Sequence, residues 1–160
     1  MKEITVGISD LQFAEYPIKL ITFGLGSCVA ITLYAADIKA GFMAHAMLPA
    51  VYEGHQIITP GKFADTAVDY MVYEMSLKGI LPSGMVAKIA GGADMFSGQI
   101  YGKGRRIGSR NIFSARRSLE SFGIPLVAQD VGGTVGRTVE FTTETGLLTV
   151  RTLHGGVKEL

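Results

Sequence analysis

Two β-forming runs meet at a glycine-broken junction early in the chain, and that junction limits the folds open to it. Lys19-Leu-Ile-Thr-Phe23 leads into Gly24-Leu-Gly-Ser-Cys28, and Val29-Ala-Ile-Thr-Leu-Tyr34 follows at once. Both runs are rich in residues that suit a pleated sheet. Glycine reaches backbone conformations closed to other residues, so Gly24 and Gly26 let the chain turn sharply between them. A third apolar run, residues 40–48, follows the short connection 35–39 and ends at Pro49, which cannot donate to a ladder. Antiparallel strands joined this way lie about 5 Å apart. Cys28, at the head of one strand, is therefore within range of His45 near the end of the next.

The rest of the chain divides by periodicity. Residues 3–9 alternate polar and apolar side chains, as a half-buried strand does, and an irregular link closes at Pro17. Thr59-Pro60-Gly61 predicts a helix start, with threonine as N-cap and proline in the first helical position. Phe63, Ala64, Ala67, Val68, Met71, Val72 and Met75 then recur at helical spacing up to a stop at Gly79. A strand is expected over 86–90 and a second helix over 109–122, burying Ile112, Ala115, Leu119 and Phe122. Strands follow over 125–128, 137–142 and 147–151, with a turn at 144–146, while 50–58 and 97–104 read as loops. Strands at both ends around two central helices predict one α+β domain over residues 1–160, three-layer-like, its helices covering one side.

Charge and cysteine usage narrow the function classes. A net charge of +1 gives no overall attraction for nucleic acid or a membrane surface. The first residues, MKEITVGISD, have no apolar signal core, no run is long enough to span a bilayer, and one cysteine excludes an internal disulfide. A cytoplasmic protein is expected, without membrane insertion and, lacking a heptad, as a monomer. His45, His55 and His154 show no metal-ligand spacing, so neither a metal nor another cofactor is expected. Lys103, Arg105, Arg106, Arg110, Arg116 and Arg117 form a local basic patch, either a solvated face or a dock for an acidic protein.

A single cysteine is most often a small buried hydrophobe. After Gly-x-Gly, however, it sits where backbone N–H groups are left over, and acyl transfer needs such donors for a developing oxyanion. Gly26 and Ser27 are the candidate donors beside Cys28. A free thiol ionises at about 8.5, so a nearby base is required at neutral pH, and His45 is placed to take the proton and form a thiolate–imidazolium pair.

The strings TFGLGSCVA, GFMAHAMLP, PGKFADTAV, AKIAGGADMF, IGSRN and GGTVGRTVEFTTETG, in this order, resemble the CheD family of chemoreceptor glutamine deamidases. The likeness spans nearly the whole chain. It implies an α/β fold with a Cys-His-Thr site: Cys28 by position as nucleophile, His45 as base and Thr22 as the third member, orienting the imidazole. The implied substrate is a glutamine of a methyl-accepting chemotaxis receptor, converted to glutamate through a thioester. A CheC-type chemotaxis phosphatase is the implied second partner. Two other classes share these residues: a glutamyl methylesterase, since a thioester serves esters equally, and a mainly non-catalytic phosphatase adaptor. The loops 50–58 and 97–106 follow no pattern of the family.

Overall fold

The computed structural model describes residues 2–51, 59–95 and 106–160. In them the chain forms strands β1 (Glu3–Thr5), β2 (Leu11–Glu15), β3 (Lys19–Leu25), β4 (Val29–Ala35) and β5 (Ala40–Ala46), then helix α1 (Ala64–Leu77) and β6 (Val86–Gly91). Helix α2 (Ile107–Ser121) follows, then β7 (Leu126–Val131), β8 (Arg137–Thr142), β9 (Leu148–Thr152) and β10 (Gly156–Glu159). The strands make two five-stranded sheets, in the orders β1-β3-β8-β9-β10 and β2-β5-β4-β6-β7. Among the described strand pairs, β1–β3 and β6–β7 run parallel, and α2 is the crossover that a parallel β6–β7 pair requires.

Alternation along the central strands sorts side chains between two cores. On one face of the second sheet, Val29, Ile31 and Leu33 of β4 with Phe42 and Ala44 of β5 meet Ala67, Met71, Met75, Ile112, Ala115 and Leu119 of the helices. On the other face, Ala30, Tyr34, Met43 and Ala90 meet Leu20, Val139, Phe141, Leu148 and Val150 of the first sheet. Every residue of β4 and β5 is buried, as expected of strands covered on both faces. The expected α+β architecture is thus present as helices on sheet on sheet, both helices on the same side.

Some boundaries differ from the sequence expectation. The first helix does not run on from Thr59: Pro60–Lys62 form a 3-10 turn, Phe63 is extended, and the α-helix begins at Ala64. Phe63 is held out of the helix by a parallel bridge to Leu48, whose carbonyl takes the Ala64 N–H at 2.8 Å. The segment read as a link contains β2, an edge strand paired with β5 from Leu11↔Ala44 to Glu15↔Ala40. β10 is wholly exposed and pairs only with β9, so no hydrophobic pattern announced it. The expected strand 3–9 is shorter as assigned, β1 ending at Thr5, although Val6 N–H still bonds the Ile21 carbonyl at 2.8 Å. Residues 52–58 of the expected loop 50–58, with His55, and 97–105 of the loop 97–106, with Lys103 and Arg105, lie outside the described residues.

Phe141 is the largest fully buried side chain between the sheets and meets the Tyr34 ring edge-on at 5.8 Å. Phe141→Ala is expected to lower stability by about 3–5 kcal/mol through lost burial and a cavity. Urea denaturation checks this; a loss under about 1 kcal/mol would mean that the sheets close over the gap.

Candidate active site

The glycine junction is a bulged continuation of β3 and not a simple turn between strands. β3 pairs with β8 up to Thr22↔Val139, slips, and resumes at Leu25↔Arg137, with Gly24 at φ +69° in the slip. Bulges of this kind re-aim side chains beside functional sites. The chain then bends through Gly26 and Ser27 and enters β4, where Val29 pairs with Ala46 and Ala30 with His45. His45 shares the inner face with Met43, two residues away, and half-buried Cys28 packs against the cluster containing Met43 and Ala30. Cys28 and His45 therefore face the same inter-sheet space.

Thr22 and His45 are both fully buried, and they meet across the two sheets, Thr22 Oγ1 lying 2.7 Å from His45 Nδ1. The same hydroxyl donates to the Val6 carbonyl at 2.6 Å. A hydroxyl has one proton, and a carbonyl can only accept. With that proton committed to Val6, Thr22 must accept from His45, which fixes the hydrogen on Nδ1 and leaves a lone pair on Nε2. Nε2 is buried without a hydrogen-bond partner among the described residues. The backbone of His45 is fixed as well, its N–H bonded to the Asp10 carbonyl and its C=O to the Ser9 N–H, both at 2.9 Å.

The sequence expectation that Cys28 sulfur and His45 would be hydrogen-bonded is not met in this state, since Nε2 has no partner. Burial pushes the Cys28 thiol above its ordinary value, with its own backbone N–H pulling the other way. Burial also holds the His45 imidazole below its ordinary value. Both directions favour the neutral thiol and the neutral imidazole over the expected ion pair.

The backbone around Cys28 is held from one side. Gly26 C=O accepts from Ala93 N–H at 2.9 Å and Cys28 C=O from Gly92 N–H at 2.8 Å. Gly26 N–H is bonded to the Gly24 carbonyl at 3.0 Å, so it is not available as the expected donor. Ser27 and Cys28 N–H have no backbone acceptor among the described residues, and Cys28 N–H faces its own sulfur. A residue that sequence reasoning missed lies behind this loop. Asn111 of α2, fully buried, donates through Nδ2 to the Ser27 carbonyl at 2.8 Å and to the Met47 carbonyl at 3.2 Å. Its trace in the sequence is an amide inside the buried helical stripe Gly108, Ile112, Ala115, Leu119. His154 and the arginines 106, 110, 116 and 117 are exposed and stand apart from this core.

A family of proteins described as CheD chemotactic sensory transduction matches residues 47–152. A probable chemoreceptor glutamine deamidase, CheD 2, of Geobacter metallireducens is 48% identical over 99% of both chains. Another so named, CheD of Clostridium novyi, is 42% identical over 99% of this chain and 98% of its own. These alignments include Thr22, Cys28 and His45, which the family match does not reach. Among solved structures, the hypothetical protein YfiH of Bacillus licheniformis is similar in fold, with a TM-score of 0.50 at 17% identity over 78% of this chain and 51% of its own.

Because His45 takes up a proton more readily unfolded than folded, the unfolded state binds more protons below the ordinary value of 6.5. Stability therefore rises with pH in that window and is lost as pH falls from 6.5 toward the lower folded value. Urea midpoints measured across this range should fall on acidification in the wild type and fall less steeply in His45→Gln. Equal slopes would assign the acid sensitivity to other groups.

Proposed function

This chain belongs to the CheD family, and from that premise we propose that it deamidates glutamine side chains of methyl-accepting chemotaxis receptors through a Cys28 thioester. The observation that carries the reading is the fixed tautomer of His45: a buried imidazole whose only open nitrogen bears a lone pair, on the same inner face as the single thiol.

The chemistry follows from these atoms. As a glutamine side chain approaches, Nε2 takes the thiol proton while sulfur attacks the amide carbon, and the carbonyl electron pair moves onto oxygen. Ser27 and Cys28 N–H receive that oxyanion; one such donor contributes roughly 10²–10³ in rate. Collapse breaks the C–N bond, and the proton on Nε2 passes to the departing nitrogen, which leaves as ammonia. Water then loses a proton to Nε2 and attacks the thioester. The C–S bond breaks, sulfur recovers the proton, and the new carboxyl group gives its hydroxyl proton to solvent as glutamate is released. A neutral resting pair suits this sequence, because charge separates only when an electrophile is present.

The same reading takes a CheC-type phosphatase as second partner. The exposed stripe of Arg106, Arg110, Phe113 and Arg117 along α2, mixed basic and apolar, supports a protein dock. It also takes the working form as a cytoplasmic monomer, since that compartment keeps an unpaired thiol reduced.

Peptide mass mapping of receptor signalling domains for Gln-to-Glu conversion tests the reading. Cys28→Ala, which fills nearly the same space, should fold and convert nothing. His45→Ala should lose about 10²–10⁴ of the rate. Undiminished conversion in Cys28→Ala removes the nucleophile assignment. Wild-type protein that cleaves receptor methyl esters but no glutamine favours the esterase, and one that only binds the phosphatase favours the adaptor.

Thr22→Val keeps the side-chain shape but removes the acceptor for Nδ1–H. The turnover rate should fall while receptor affinity is kept, because Thr22 is fully buried and its hydroxyl bonds the imidazole and the Val6 carbonyl. Paired rate and calorimetric measurements check this, and a wild-type rate would release Thr22 from the site.

A further inference from the structure

Three segments converge behind the nucleophile, with glycines at their points of approach. A Cβ at Gly91 would collide with the Cys28 carbonyl oxygen, one at Gly108 with the carbonyls of Gly92 and Ala93, and one at Gly92 with Ile112. The end of β6 thus presses on the Cys28 loop, and the first turn of α2 presses on the end of β6. This approach brings Asn111, one turn into α2, within 2.8 Å of the Ser27 carbonyl and 3.2 Å of the Met47 carbonyl. Ser27 precedes the nucleophile, and Met47 lies two residues beyond the base.

A trans peptide points its C=O and its N–H in opposite directions. The carbonyls of Gly26, Ser27 and Cys28 are all claimed by groups on or beside β6 and α2. The N–H of Ser27 shares a peptide with the first, and the N–H of Cys28 with the second. Both are therefore directed away from that side. The Ala93 and Gly92 amides are backbone and present whatever the sequence, so the Ser27–Cys28 peptide alone is held by a side chain.

We propose that Asn111 is a positioning residue: its amide fixes the Ser27–Cys28 peptide so that Cys28 N–H faces the reacting carbonyl as an oxyanion donor, and ties that peptide to the end of β5 that carries His45. This rests on the acyl-transfer reading above and deepens it. Without the amide, the part-buried Ser27 carbonyl would lose its donor, a cost that favours rotation of the whole peptide. The donor would turn away with it. The sulfur and the imidazole would stay where they are, since the Asn111 amide donates to neither.

The test separates oxyanion chemistry from thiol chemistry in the same protein. Alkylation of Cys28 by iodoacetamide displaces iodide and forms no oxyanion, whereas deamidation requires one. Asn111→Ala should lower kcat for receptor glutamines by about 10²–10³ with KM unchanged. Its alkylation rate and the pH profile of that rate should remain those of the wild type. A kcat within a few-fold of wild type overturns the proposal. So does an alkylation rate that changes in step with kcat, which is what general loosening of the loop produces. If Asn111→Ala does not fold, the wild type is treated with a receptor peptide carrying an aldehyde in place of the glutamine amide. The thiohemiacetal oxygen should then shift the Cys28 amide proton in a ¹H–¹⁵N spectrum, and an unmoved resonance overturns the proposal. Wild-type protein that converts no glutamine takes the parent reading and this one down together; wild-type conversion matched by Asn111→Ala overturns this one alone.

Discussion

The hydrogen bond from Thr22 Oγ1 to the Val6 carbonyl, 2.6 Å long and fully buried, sets the condition on which the rest of the site depends. It spends the only proton Thr22 has, and so converts a hydroxyl that can serve either way into an acceptor. Val6 continues from β1 and Thr22 lies on β3, whereas His45 belongs to β5 in the other sheet. The tautomer of one ring is therefore written by the way two sheets stack. A slip of one residue in β3 would turn Thr22 to the opposite face and leave the imidazole with no fixed state. The slip that does occur, between Thr22 and Leu25, lies immediately after the residue whose direction matters.

A second constraint comes from the outer layer. α2 holds the loop that bears Cys28 through a buried amide, and it reaches that loop only because glycines stand at 91, 92 and 108. The thiol is consequently gripped by helix and sheet while the histidine is gripped by sheet alone. Both supports are rigid elements, which is how a reactive constellation keeps its geometry without substrate.

The legible parts of this architecture are those that packing dictates. The apolar runs of β4 and β5, the stripe of α1 and the alternation of β8 all announce themselves, because each buries a face and burial leaves a period in the sequence. The shared face of Cys28 and His45 followed from the same logic, since hairpin register is short-range. What the sequence left dark was polar or long-range. β10 buries nothing, and β2 was obscured by Pro17 just beyond it. The extended conformation of Phe63 answers to Leu48, fifteen positions earlier in the chain. The Val6 carbonyl has no side-chain signature at all. Asn111 stood in plain view within an apolar stripe, yet an amide there names no partner until two distant carbonyls are brought to it. The availability of Ser27 and Cys28 N–H, with Gly26 N–H already taken, is likewise a matter of peptide orientation that residue types do not encode.

Burial that opposes ionisation of the Cys28 thiol has a bearing on wear as well as on turnover. Peroxide attacks the thiolate far faster than the thiol, and each step beyond the sulfenic acid is progressively harder to reverse. A sulfur whose burial opposes ionisation is in the form that oxidants touch least. The chain has no second cysteine to trap a sulfenic acid as an internal disulfide. The desolvation that opposes ionisation is thus also protection for the single thiol of the chain.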